Sequence, residues 1–217
     1  MELRNNRLTT FYIVRHGETD MHAKGMLHGH TDTPLTSKGE EQAQRLATEL
    51  SQITFDETFS SDLVRAKRTA EILALEKELI IKTTAILRER NFGVFEGTKI
   101  ENFQALYDRW EHLSEEQRWT KKFSNEESHE ESVMRLVTFL RETAIAYAGK
   151  NILVVSHGSL MRSFLIKLGY GNWHTVGRFE HCGYIVVETD GVEFYFRMAR
   201  GIKTWTDVDT PPHATTL

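Results

Sequence analysis

The sequence predicts an α/β protein of three layers: a mainly parallel sheet between two layers of helix, with an antiparallel edge strand and a helical lid insertion. Three observations lead there. Two apolar runs, Phe11-Tyr12-Ile13-Val14 and Ile152-Leu153-Val154-Val155, each give way to a polar stretch ending in glycine, Arg15-His16-Gly17 and Ser156-His157-Gly158. Continuous apolar runs of this length read as strands buried on both faces, and stretches with helical periodicity separate them. Near the C-terminus, Asp190-Gly191 divides two short β-type runs, a hairpin signal that adds at least one antiparallel strand.

The elements follow in order. Residues 11–14 form the first strand, and 17–35 a loop rich in His, Gly and Thr that Pro34 closes. Thr36 or Ser37 caps a helix whose apolar face is Ala43, Leu46, Ala47 and Leu50, and Ser37 with Glu40 has capping-box spacing. Residues 58–60 make a weak strand. Ser61 or Asp62 then caps a helix carrying Leu63, Ala66, Ala70, Ile72 and Leu73. Residues 79–83 read as a strand and 86–97 as irregular. The stretch 100–131 differs in kind: it carries Trp110, Trp119 and an acidic run at Glu126, Glu127, Glu130 and Glu131, and reads as helical segments outside the sheet. The acidic run is expected to be a solvated face and the two tryptophans lid core. An amphipathic helix over 132–147, the strand 151–155, a helix over 160–168 and the hairpin complete the fold, and the tail from Thr204 is expected to be poorly ordered. No repeat or linker interrupts the 217 residues.

Bulk composition narrows the function. The net charge is −4, and Lys and Arg are scattered rather than gathered into the basic patch a nucleic-acid partner requires. No run approaches the roughly twenty apolar residues of a membrane span, and the first ten residues lack a signal-peptide core. The single cysteine, Cys182, excludes an internal disulfide and multi-thiolate zinc sites. These features lead us to expect a cytoplasmic protein that binds neither nucleic acid nor membrane.

Polar residues released at the ends of buried strands lie where α/β folds build their sites. Val14 and Val155 both end such strands, so topology places His16 and His157 along one sheet edge with Arg15 beside them. That combination points to a phosphate site with a nucleophile. Four segments in this order, Arg15-His16-Gly17-Glu18-Thr19, Ser61-Asp62-Leu63-Val64-Arg65-Ala66, Leu87-Arg88-Glu89-Arg90-Asn91-Phe92-Gly93 and Val155-Ser156-His157-Gly158, resemble the histidine phosphatase superfamily, which includes the cofactor-dependent phosphoglycerate mutases. The resemblance runs from residue 11 to about 200. It implies a phosphoglycerate mutase-like fold, one domain over 1–217 with a lid at about 98–131.

The resemblance also implies a chemistry. His16 attacks phosphorus and becomes a phosphohistidine. Arg15, Arg65 and a protonated His157 neutralise the phosphoryl oxygens, and Glu89 protonates the leaving oxygen and later activates water. Imidazole attacks only through an unprotonated nitrogen, so the other ring nitrogen of His16 is expected to be held by an acceptor such as a backbone carbonyl. Arg65 is preferred to Arg68 because its spacing from Ser61-Asp62 matches the family; Glu89, between Arg88 and Arg90, could instead form a local ion pair. Gly158, Gly29, His22 and His28 complete the expected phosphate contacts. The last two depart from the family, where Met21-His22 is often Trp-Asn and His28 is Gln or Thr. A lid favours a small phosphorylated metabolite as partner, and no metal or cofactor is implied. The paired arginines and proline-rich turn of the mutases are absent from about 100–130, which favours a metal-independent phosphoric monoester hydrolase. A mutase, a fructose-2,6-bisphosphatase-like enzyme and a phosphate-binding pseudo-phosphatase stay open, as do a homodimer and contacts of Arg90, Arg109, Arg118 or Arg162 with a second phosphate.

Overall fold

The computed structural model describes residues 8–77, 79–102, 112–202 and 215–216. Its strands are β1 (Thr9–Arg15), β2 (Glu57–Ser61), β3 (Ile81–Thr84), β4 (Asn151–Ser156), β5 (Phe179–Thr189), β6 (Glu193–Ile202) and β7 (Thr215–Thr216). They form one sheet in the order β3-β2-β4-β1-β5-β6-β7. The first four of that order run parallel, and β5, β6 and β7 continue antiparallel. The α/β class with a mainly parallel sheet and an antiparallel edge is therefore observed.

Helices cover both faces, and the pleat shows why. Phe11 and Ile13 of β1, Ile152 and Val154 of β4, and Ile185 and Val187 of β5 point into one core, with α5 (His129–Ala146) and α6 (Gly158–Lys167). Their neighbours Val14, Leu153, Val155, Tyr184 and Val186 point the opposite way, onto α2 (Ser37–Glu49) and α3 (Val64–Ala74). Strands buried on both faces have no polar face to show, hence the unbroken apolar runs. Two shorter helices among the described residues are α1 (Asp20–Ala23) and α4 (Glu115–Thr120).

Several boundaries differ from the sequence reading. The loop 17–35 contains α1, capped by Thr19, whose hydroxyl accepts from His22 N. Thr36 caps α2 by accepting from Gly39 N, so the Ser37–Glu40 box does not form: with the cap at Thr36 the third helical residue is Gly39, and Glu40 pairs with Arg68 at 2.7 Å. Neither Ser61 nor Asp62 caps α3. Its N-cap is Leu63, and Asp32, more than thirty residues upstream, accepts from Val64 N at 2.9 Å. Asp62 is engaged by Arg88 instead, at 2.7 and 2.6 Å.

Helix α5 starts at His129, earlier than expected, because Ser128 and Glu131 build a reciprocal capping box. The acidic run is solvated only at its end, where Glu131 is exposed and pairs with Lys122. Glu126 is buried and accepts from the backbone of Phe123 and Ser124, while Glu127 accepts from Asn91 N and pairs with Arg135. Trp119 packs on Trp173 with ring centroids 5.0 Å apart. Arg109, Trp110 and nearly all of the tail from Thr204 lie outside the described residues; only Thr215 and Thr216 return, pairing with β6.

Candidate active site

Parallel pairing of β1 with β4 sets Val14 against Val155 and Arg15 against Ser156. The next residue on each strand is a histidine, and the two imidazole centroids lie 5.0 Å apart. Gly17 lets the chain turn there: a Cβ at that position would sit 2.5 Å from Gly39 O, inside contact distance. In that turn His16 Nδ1 lies 2.7 Å from Gly17 O. Only an N–H can make that contact, so Nδ1 carries the proton and Nε2 presents its lone pair. Burial, followed by the charge of Arg65, holds the His16 pKa well below its usual value, which keeps the ring neutral.

Arg65 is fully buried on the first turn of α3. Its Nε donates to His16 Nε2 at 3.2 Å, and its terminal nitrogens donate to Thr31 O and Gly29 O at 3.0 and 2.6 Å. Gly29 thus enters the site by holding Arg65 through its carbonyl. Arg68, the rejected alternative, pairs with Glu40 and Glu71 at the surface. Arg65→Ala removes one fixed donor from the nucleophile. We expect kcat/KM to fall by about 10²–10³, with Arg65→Lys restoring charge but not the fork; steady-state kinetics check this, and unchanged kcat/KM would remove Arg65 from the chemistry.

Arg15 approaches from β1. Nη2 contacts His22 Nε2 at 2.8 Å and His181 Nε2 at 3.1 Å, and Nη1 donates to Phe179 O at 2.5 Å. Its Nε is buried without a hydrogen-bond partner. Gly158 permits this approach, since a Cβ there would lie 2.9 Å from Arg15 Nε. Burial brings both arginines down to about 10, still protonated at neutral pH.

His157 is fully buried, and neither ring nitrogen has a partner. Burial first, then Arg65, pushes its pKa well below the usual value. The site therefore favours neutral His157, not the protonated form the sequence reading expects. The reason is burial, which penalises the charged ring, and the charges of Arg65, Arg135 and Arg15 act in the same direction, so protonation needs an anion to balance it.

Glu89 does not pair with Arg88 or Arg90, as the local alternative would have it. Its Oε1 accepts from Arg90 N and Leu160 N at 2.8 and 2.9 Å, and Oε2 from Ser159 N at 2.8 Å. Two of these N–H groups open α6, directly after His157-Gly158, so the carboxylate is locked beside the histidine pair. It lines a cavity of about 420 Å³ together with Arg15, His22, His28, Gly158 and Arg162. His16, Arg65 and His157 lie behind that wall, 2%, 0% and 0% exposed.

His22 and His28 belong to one directed chain. His22 Nε2 accepts from Arg15, so His22 Nδ1–H donates to Thr19 Oγ1 at 2.9 Å; the hydroxyl donates to His28 Nε2 at 3.1 Å. Burial and then the neighbouring arginines hold both rings neutral, His28 down to about 4. Glu18 is spent on Lys38 and Thr36. The ring nitrogens of His16, His22 and His28 come within 4.8 Å of one another, close enough to share a metal ion. They fit one poorly, because guanidinium N–H groups occupy the lone pairs of His16 Nε2 and His22 Nε2. The site is built for an anion.

Of the arginines considered for a second anion, Arg162 lines the cavity, with Nε on Val176 O. Arg90 and Arg118 do not line it: Arg90 donates to Glu127 O and stacks on Phe92, and Arg118 bonds Leu113 O and His174. Two residues escape the sequence reading. Exposed Arg178 lines the cavity mouth, and His181 contacts Arg15. Both precede the predicted hairpin, in a stretch with no periodic signal; the departure from family pattern at His22 and His28 is the nearest hint of a histidine-rich pocket.

Comparison with known proteins agrees with this geometry. The pattern described as histidine phosphatase superfamily (branch 1) matches residues 11–200. A relative from Escherichia coli O1:K1, named "Probable phosphoglycerate mutase GpmB", is 35% identical over 147 residues, 68% of each chain. Among solved structures, phosphoglycerate mutase from Bacillus anthracis superposes with a TM-score of 0.74 at 28% identity, covering 88% of this chain and 92% of that one. The α-ribazole phosphatase from Shigella flexneri gives 0.72 at 25% identity, covering 91% and 98%. Two histidines on adjoining parallel strands, a buried arginine on the nucleophile's nitrogen and a match spanning nearly the whole chain lead to one conclusion: the chain belongs to branch 1 of the histidine phosphatase superfamily.

Proposed function

We propose that the protein is a metal-independent phosphomonoesterase that hydrolyses a small phosphorylated metabolite through a phosphohistidine on His16. The observation that carries this reading is the pair of contacts on one ring: Nδ1 bound to Gly17 O and Nε2 facing a buried guanidinium. A neutral imidazole so held is a nucleophile aimed at an anion's seat.

The steps follow from the residues. A phosphoryl group enters where the side chains now bond one another, taking the one donor, Nε, that Arg65 spends on His16 together with the unused Nε of Arg15. Glu89 takes up a proton as the phosphomonoester binds; Nε2 of His16 then attacks phosphorus, the P–O bond breaks, and the leaving alkoxide takes that proton, returning Glu89 to the carboxylate that the backbone N–H groups hold. Two guanidinium groups offset the charge on the non-bridging oxygens. His157, neutral in the free site, gains a proton as the dianion arrives. In the second half Glu89 takes a proton from water, whose oxygen attacks phosphorus and breaks the P–N bond, releasing inorganic phosphate and restoring His16.

Glu89→Gln should slow alkyl phosphates by about 10²–10⁴-fold and aryl phosphates, with better leaving groups, by less in the first half-reaction. Equal slowing of both, with phosphoryl transfer limiting, would remove Glu89 as proton donor.

Hydrolysis is favoured over mutation of phosphate position because Arg90 and Arg118 are committed to internal partners rather than to the cavity. The names of two relatives keep the mutase as the second reading. The test is turnover of p-nitrophenyl phosphate and a panel of phosphorylated sugars, glycerates and nucleotides, with and without EDTA. We expect hydrolysis unchanged by EDTA. Strict metal dependence would contradict the reading, bisphosphate-dependent interconversion of 3- and 2-phosphoglycerate would favour the mutase, and phosphate binding without turnover would favour the pseudo-phosphatase.

A further inference from the structure

β5 enters the sheet irregularly. Its pairing with β6 slips between Phe179 and Tyr184, and Cys182 within that slip has a φ of 61°, in the left-handed region that side-chain-bearing residues seldom occupy. Bulges of this kind beside a site re-aim side chains. Here the irregular stretch presents two acceptors to one guanidinium: Phe179 O to Arg15 Nη1 and His181 Nε2 to Arg15 Nη2, the latter at 3.1 Å.

His181 does not line the catalytic cavity. It lines an adjoining groove of about 650 Å³, with Glu18, Lys38, Arg45 and Glu180, whereas Arg15, His22, Arg178 and Phe179 line both spaces. His181 therefore meets Arg15 from behind the wall that faces substrate. With Nη1 engaged by Phe179 and Nη2 by His181 and His22, the guanidinium nitrogen without a partner is Nε, beside Gly158.

We propose that His181 is a positioning residue: the bulge of β5 sets its imidazole lone pair against Arg15, and this fixes the direction in which the guanidinium meets the phosphoryl group, with no contact between His181 and substrate. The proposal rests on the reading of the site given above. Its acceptor state is well supported. Burial, then Arg15, brings His181 down to about 3, with Lys38 and His28 acting the same way and only Glu18 opposing. The ring is neutral wherever the folded protein works.

The test compares His181→Gln, which keeps an acceptor, with His181→Leu, which fills the space without one; kcat, KM, calorimetric binding of inorganic phosphate and thermal melting are read for each. We expect His181→Leu to lose roughly 10- to 100-fold in kcat/KM, the range of one hydrogen bond to a charged group, mostly through KM. Phosphate affinity should fall in parallel, and His181→Gln should recover most of both. In an Arg15→Ala background His181→Leu should cost nothing more. Wild-type kinetics in His181→Leu, equal impairment of both variants, or an additive loss with Arg15→Ala would overturn the proposal. If His181→Leu fails to fold, His181→Met against His181→Gln makes the same comparison. A wild-type protein that neither turns over phosphomonoesters nor binds phosphate would instead overturn the reading of the site. Active wild type with indifferent variants would overturn this inference alone.

Discussion

We expect His16→Ala to abolish turnover, by a factor on the order of 10⁴ or more, because it removes the proposed covalent nucleophile. It should also leave no phosphoryl group on the chain. The size of the effect follows from the lack of any substitute. His157 is the nearest imidazole, but neither of its nitrogens is held by an acceptor, so nothing fixes its tautomer or points a lone pair at phosphorus. His22 and His28 are tied into the Thr19 chain, and His22 Nε2 faces Arg15. The fold should survive, because His16 contributes to β1–β4 pairing through its backbone, with N donating to Ser156 O at 3.1 Å. Phosphate affinity should change far less than kcat. Kinetics with a folding control by circular dichroism checks this, and retained turnover in a folded His16→Ala protein would end the proposed mechanism.

The second large effect is loss of stability in mild acid. Six imidazoles, on His16, His22, His28, His129, His157 and His181, have pKa values lowered by burial. In the unfolded chain each titrates near 6.5. Below that pH the unfolded state takes up protons and the native state does not, so stability is complete above about 6.5 and is lost as pH falls toward the folded values. Each group removes up to about 1.4 kcal/mol per pH unit in that window. The four buried rings, His16, His28, His129 and His157, carry most of this loss and the partly exposed His22 and His181 add less; together they remove a substantial part of a typical folding free energy, about 5–15 kcal/mol, within one or two pH units. The carboxylates lowered by partners, such as Asp56 on Lys150 and Asp62 on Arg88, add a further loss only nearer their unfolded values, well below the histidine window. Melting temperature should therefore fall steeply between pH 7 and pH 5, and inorganic phosphate should raise it by mass action on the native state. A melting temperature that stays flat over that range would show that these rings are not held neutral.

The same six histidines show where sequence reasoning reaches and where it stops. His16 and His157 are legible because each follows an apolar run that can only be a doubly buried strand, and two such strands side by side bring the residues after them together. Arg65 and Glu89 are legible through their segments' resemblance to a family, since periodicity alone does not separate Arg65 from Arg68. The charge state of His157 is not legible: it depends on complete burial, and then on Arg65 and Arg135, brought to it from elements far apart in the chain. His181 is hidden for a similar reason. Its direction is set by a slip in strand pairing, which leaves no pattern in composition. Long-range capping is equally silent, as Asp32 on Val64 N shows, and so is the burial of Glu126, whose acidic neighbours suggest solvent.

The central claim is that His16 Nε2 carries the phosphoryl group during turnover. The direct measurement is rapid acid-free quenching of the wild-type protein with substrate labelled in the phosphoryl group, followed by peptide mapping of the label. The account predicts label on the peptide containing Arg15-His16-Gly17, stable in base, lost in acid and formed at a rate no slower than turnover. Label on any other residue, or steady turnover with no labelled protein at any time, would contradict it.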